Sequence, residues 1–386
     1  RMDSLNSLND LVYGKKCTLL GIGPMSKNCI DVVIELANKY DIPLMLIASR
    51  RQVESEELGG GYVNNWTTEE FAKYVHRNDV NGNIILCRDH GGPFQGNNEK
   101  EQKLSLKEAM HKAKQSFGTD IKAGFKILHI DPSEDIQQEI SIDEMLERIY
   151  ELYDFCCSVA KENKKDISFE ISIGKEDGRV HKPEEIDYAL SNIENFCLNR
   201  NYPKPLFVVV KTGNYVMETK NIGVFEEIVK GNRPDDENNI KKIISLCNER
   251  KIMIKEHNTD YISDEALKTH PKIGIHAINV APEFGVVETR ALLSWLTEKN
   301  LEEYKKKFLD IAFQSNKWRK WMIPNSNASQ NDKAIISGHY VFSHPEFITM
   351  KNYMLDNMDD HKKLDLFLKQ EIKQAILRYI KCLKLI

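Results

Sequence analysis

The run Asp89-His90-Gly91-Gly92-Pro93 sets a carboxylate beside an imidazole where glycine lets the backbone approach a ligand closely. Alone the pair is a weak signal, since Asp89 could equally cap a helix or pair with Arg88. His257 in KEHNTDY supplies a second imidazole and Glu170 in FEISIG a second carboxylate. His90, Glu170, His257 and a water would satisfy a four-coordinate divalent cation, which polarises a carbonyl and its adjacent hydroxyl. His129 and Asp131 in KILHID share one strand face by alternation, and His129 also reads as a core histidine. Lys211 in VVVKTGN offers a second chemistry, a Schiff base with a ketose carbonyl that needs no metal; it could instead hold a phosphate or pair with Glu170.

Scattered residues meet only if the fold brings them together. Short apolar runs bounded by turn residues recur at 17–23, 43–49, 83–91, 126–131, 167–174, 206–213, 251–258 and 273–282, the pattern of buried parallel strands. Segments with apolar residues three and four apart, such as SLKEAMHKAKQSF, alternate with them as helices. Strand ends carry Ser49-Arg50, Asp89-His90, His129 with Asp131, Glu170, Lys211-Thr212, Glu256-His257-Asn258 and Asn279. In a barrel all these ends open onto one mouth, so the expected fold is a (β/α)8 TIM barrel over 1–300. A helical extension over 301–386 is expected to pack on it. Loops at 57–71 and 174–186 are placed to cover the mouth. Gly213-Asn214, Asn258-Thr259 and Asn279-Val280-Ala281 are turns where barrels often bind phosphate, although ordinary turn chemistry explains them equally well.

The 386 residues are 41% hydrophobic and 29% charged, with a net charge of −4, which gives no basic footprint for nucleic acid. The eight cysteines form no C-x-x-C pair and read as reduced, buried thiols. The first residues, RMDSLNSLNDLVYGKK, lack the apolar core of a signal peptide, and no stretch suits a membrane span. A cytoplasmic protein with a small-molecule partner is expected.

Six segments, in order, resemble the GatZ/KbaZ-like family of tagatose-bisphosphate aldolase accessory subunits, itself similar to class II ketose-bisphosphate aldolases. They are LIASRRQVESEELGGGYVNNWTTEEF, ILCRDHGGPFQGN, LSLKEAMHKAKQSFGTDIKAGFKILHIDPS, FEISIG, VVVKTGN and KEHNTDYISDEAL. The resemblance implies a ketose phosphate ligand and, in the class II relatives, zinc-bound enediolate chemistry, with manganese or cobalt as other cations. It makes Asp89 the proton-transfer acid, His90 and His257 metal ligands, Glu170 a metal-serving carboxylate and Asn279 a substrate contact. Class II aldolases place a further histidine ligand after the sixth strand, where this chain has Lys211-Thr212-Gly213. Some family members are non-catalytic partners of an aldolase and others resemble C4 epimerases of ketose phosphates or keto sugar acids.

The expectation is therefore a metal-dependent aldol-type enzyme, cleaving or C4-epimerising a ketose phosphate such as a tagatose or fructose phosphate. Asp89, Glu170 and Lys211 would be catalytic, with His90, Glu170 and His257 on the metal. Ser49, Arg50, Asp131, Thr212, Gly213, Asn258 and Asn279 would contact substrate. A homo-oligomer or a partner aldolase subunit is expected, and the alternative function is a non-catalytic subunit stabilising such a partner.

Overall fold

Each of the eight apolar runs contains a strand in the computed structural model, which describes residues 5–136, 139–358 and 361–386. The strands are β1 (Leu19–Ile22), β2 (Leu44–Ser49), β3 (Ile84–Gly91), β4 (Ile127–Ile130), β5 (Ser168–Ile171), β6 (Phe207–Val209), β7 (Met253–Glu256) and β8 (Ala277–Val280). All pair in parallel and in chain order, and β8 returns to β1 with Leu19 opposite Ala277 and Gly21 opposite Asn279, so the sheet closes into a barrel. Closure removes the free edges that an open sheet would leave. The expected (β/α)8 barrel is the fold observed.

The helices form where the sequence supplies both an apolar stripe and a start signal. Ser105 caps Leu106–Ala123 and Ser141 caps Ile142–Glu162, each in a reciprocal box with a glutamate three residues on. Their buried faces, among them Phe117, Ile121, Leu152 and Tyr153, join the strand side chains in one large core. Beyond β6, Val216–Met217 and Lys220–Asn221 form a two-stranded hairpin.

The C-terminal extension packs around the helix Pro282–Glu298, where Leu292, Trp295 and Leu296 meet Phe308, Phe347 and Leu368 in a second, smaller core. The last helix, His361–Cys382, returns to the barrel and places Ile372, Ile376 and Tyr379 in the main core. The extension also reaches the mouth: Glu218 N–H of the hairpin donates to the Trp321 carbonyl at 2.7 Å. The eight cysteines are free thiols, seven of them buried. Among the described residues no helix is long and apolar enough to cross a membrane.

Candidate metal centre and active site

Strict alternation would send Asp89 and His90 to opposite faces of β3. Here the register with β4 shifts between Arg88 and Gly91, and His90 takes a left-handed φ of 46°. This irregularity re-aims the pair, as bulges do, and both side chains join one cluster. Asp89, His90, His129 and His257 each bring a ligating atom within 4.8 Å of the others. The three imidazole rings lie 4.9 to 5.2 Å apart, centre to centre.

Each ring is held from behind. Asp131 takes His90 Nδ1 at 2.7 Å and is itself fixed by Ser133, so His90 turns Nε2 toward Asp89 Oδ1 at 3.8 Å. Ser172 holds His129 Nε2 at 2.9 Å, which leaves Nδ1 as the inner nitrogen, 3.5 Å from Asp89 Oδ1 and accepting the His90 N–H at 3.0 Å. Glu170 holds His257 Nε2 at 2.8 Å. Such outer partners fix ring orientation and tautomer at metal sites. Asp89 Oδ1 is a buried oxygen without a hydrogen bond. Burial alone would raise the Asp89 carboxyl, but His90, His129 and His257 outweigh it and hold it at about 2. Burial likewise opposes charge on His90, yet Asp89, Asp131 and Glu170 push it up to about 10. An orphaned oxygen among three imidazoles fits a divalent cation such as zinc.

Glu170, expected as a direct ligand, stands one layer back. Its other oxygen meets the buried Lys255 Nζ at 2.8 Å, so both oxygens already carry partners. His129 on β4 brings a third imidazole beside Asp89, and its ring nitrogens too carry partners, Ser172 and the His90 N–H. Lys255 on β7 lies two residues before His257, and both side chains meet Glu170.

A cavity of about 210 Å³ opens beside this cluster, and Ser49, Asp89, His90, His257, Asn258 and Asn279 line it as expected of strand ends. Asn279 Nδ2 lies 3.2 Å from His257 Nε2. The amide has room only because Gly21 stands opposite it, where a Cβ would lie 2.2 Å from Asn279 Oδ1. The lining also includes Arg51, Gln52 and Tyr62 after β2, Asp260 after β7, and Lys320, Trp321, His339 and Tyr340 of the extension. The sequence reading assigned none of these to the site.

Other expected residues are placed elsewhere. Arg50 is buried against Glu54 at 2.7 Å and Glu99 at 2.8 Å, so its neighbour Arg51 is the cation on the cavity. Thr212 donates to Glu256 at 2.6 Å, in a network closed by Thr259 and His270. Gly213 accepts the Val224 N–H. Lys211 gives its N–H to His181 and its Nζ to Asp177 at 3.3 Å. None of these three lines the cavity. In the loop after β5, burial pushes the Glu176 carboxyl up to about 8, against the opposing pull of Lys211 and His90. Glu176 had been read only as part of a covering loop.

Residues 8–176 match the family described as D-tagatose-1,6-bisphosphate aldolase subunit GatZ/KbaZ-like. This agrees with the resemblance seen in the motifs. Two solved structures share the fold. One, described as a probable tagatose 6 phosphate kinase from Sinorhizobium meliloti 1021, superposes with a TM-score of 0.70 at 17% identity, covering 95% of this chain and 100% of its own. The other, a fructose-bisphosphate aldolase from Campylobacter jejuni, gives 0.54 at 14% identity, covering 98% and 93%. No curated protein sequence matches significantly.

Proposed function

From a chain whose residues 8–176 match the GatZ/KbaZ-like family, we propose a metal-dependent aldol-type enzyme that cleaves or C4-epimerises a ketose phosphate. The observation that supports it most is the buried, unpartnered Asp89 Oδ1 amid three braced imidazoles. Asp89, His90 and His257, joined by His129 once its Nδ1 gives up the His90 N–H, would hold the cation, which supplies the Lewis acidity that carbon-carbon cleavage next to a carbonyl requires.

The chain's own groups do the rest. Asp89 lines the cavity and, on the oxygen not given to the cation, takes the proton of the substrate's C4 hydroxyl as the C3–C4 bond breaks. C3 takes a proton from water when the aldehyde leaves, which balances the one removed from the C4 hydroxyl. If the aldehyde instead turns and re-adds through its other face, Asp89 returns the proton and C4 is inverted. Tyr62, Trp321 and Tyr340 also line the cavity.

The second reading, a non-catalytic subunit of a partner aldolase, is favoured by the segment after β6, where Lys211 and Thr212 offer no imidazole and face internal partners. The Asp89→Asn variant separates the two. With a ketose phosphate as substrate and products resolved by chromatography, the wild type should release a triose or form the C4 epimer and the variant should lose at least roughly a hundredfold in rate. Absence of both products with wild type, together with an equal boost of a partner aldolase by wild type and variant, would establish the subunit reading.

A further inference from the structure

Among the described residues six histidines are buried, and five of them hydrogen-bond within the fold. His129 meets Ser172, His181 the Lys211 N–H, His257 Glu170, His270 Glu256 and His276 the Ile254 N–H. His339, from the C-terminal extension, is the sixth. It is only 4% exposed, and among the described residues neither of its ring nitrogens has a hydrogen bond. A buried polar group of this kind costs the fold stability unless something outside the chain meets it.

The ring is held in place by packing. The 3-10 turn Gly338–Val341 presses on the helix Pro282–Glu298 at two glycines: a Cβ on Gly285 would lie 2.6 Å from His339 Nδ1, and one on Gly338 2.2 Å from Thr289 Oγ1. Tyr340 lies against the imidazole at 4.2 Å between ring centres, and its hydroxyl accepts the Trp321 Nε1–H at 3.1 Å. Asn65 donates to the Ser343 carbonyl at 3.0 Å, which ties the loop after β2 to the same stretch. Gly285 closes off Nδ1, so Nε2 is the nitrogen left for a ligand. Burial, helped by Lys320, holds the imidazole down at about 3, so the ring is uncharged at neutral pH and suits a hydroxyl better than an anion.

His339 lines the mouth cavity together with Asp89 and Asn279, whose Oδ1 atoms are also buried without a hydrogen bond. It borders a neighbouring cavity of about 180 Å³ as well, beside Ser26, Glu288 and Asp365. There the polar groups are already matched: Ser26 and Asn28 hold Glu288, and Asn28 and Lys351 hold Asp365. The unmet hydrogen bonds belong to the mouth.

We propose that His339 is a substrate-binding residue of the mouth, its Nε2 hydrogen-bonding a hydroxyl of the sugar, and that the C-terminal extension is thereby part of the binding site. This rests on the reading that the mouth cavity takes a ketose phosphate.

Calorimetric titration of the full, zinc-loaded chain tests this, with D-tagatose 6-phosphate, D-fructose 6-phosphate and D-tagatose 1,6-bisphosphate as probes. The probe that wild type holds tightest should bind roughly tenfold more weakly to His339→Leu, the loss expected of one hydrogen bond to an uncharged group. His339→Gln, which sets an amide nitrogen near the place of Nε2, should stay within about threefold of wild type. The urea midpoint of His339→Leu should equal or exceed that of wild type, because the imidazole makes no hydrogen bond within the fold. Glu288→Gln, in the neighbouring cavity, should leave binding unchanged. Wild-type affinity in His339→Leu, failure of His339→Gln to restore binding, an equal loss in Glu288→Gln, or a loss that tracks a lower urea midpoint in both His339 variants would overturn the proposal. Turnover is followed in the same samples. Weakened binding in His339→Leu without turnover by wild type sinks only the aldol reading, and turnover with binding unaltered in that variant sinks only this one. No binding of any probe by wild type sinks both.

Discussion

Replacing Lys255 with methionine would strip the barrel of the cation that holds Glu170. Both side chains are almost wholly enclosed, at 1% and 2% exposure, and their charges meet at 2.8 Å. At an effective dielectric of about 20, that contact is worth roughly 6 kcal/mol before desolvation is counted. Removing one partner of such a pair costs about 3–5 kcal/mol, because the other charge stays buried. The loss is a large share of a typical stability of about 5–15 kcal/mol and should lower a urea midpoint by roughly 1 M or more. Burial alone would raise the Glu170 carboxyl, but Lys255 first and then His129 and His257 hold it well below the usual carboxylate range. A depressed carboxyl stabilises the fold above its unfolded pKa, and that contribution is lost as pH falls through the folded value. The acid-side loss of stability should therefore be smaller in Lys255→Met. Glu170→Gln combined with Lys255→Met should cost less than the two single changes added. A Lys255→Met midpoint equivalent to within about 1 kcal/mol of wild type would refute the reasoning.

Glu288 tests the opposite sign. Burial pushes it up from its ordinary value to about 7, while Ser26 and Asn28 pull it down less strongly. A raised carboxyl gives stability that is complete below its unfolded pKa and lost as pH rises through the folded value, so Glu288→Gln should gain on wild type between pH 5 and 8 by up to about 3 kcal/mol. Parallel urea midpoints across that range would contradict this. Gly21→Ala would put a methyl within 2.2 Å of Asn279 Oδ1 and displace the amide from His257. A loss of roughly 1–3 kcal/mol by urea unfolding is expected, and a neutral change would show that the barrel yields there.

The barrel was legible because buried parallel strands are continuous apolar runs, and their polar ends at 89–90, 257–258 and 279 converge as that geometry requires. Five features were not. Asp89 and His90 face the same way only through the β3 irregularity, which periodicity does not reveal. Lys255 reads as an ordinary strand lysine until β5 is seen to set Glu170 beside it. His129 reads as a core histidine, since its inner nitrogen gains meaning only next to Asp89. Lys320 and Tyr340 reach the mouth from the extension, and no local pattern links residues so far apart in sequence. Asp260 was hidden for a related reason: its acceptance of the Ala281 and Glu283 N–H groups is a contact between one loop and the start of a helix distant in the order of elements.

The most direct test is the metal content of the purified, reconstituted chain, measured by elemental analysis for wild type, His90→Ala, His129→Ala, His257→Ala and Lys211→Ala. Near one equivalent of divalent metal in wild type and in Lys211→Ala, lost in each histidine variant, is the expected result for a centre built on Asp89, His90, His129 and His257. No metal in wild type, or a full equivalent in His129→Ala, would contradict it.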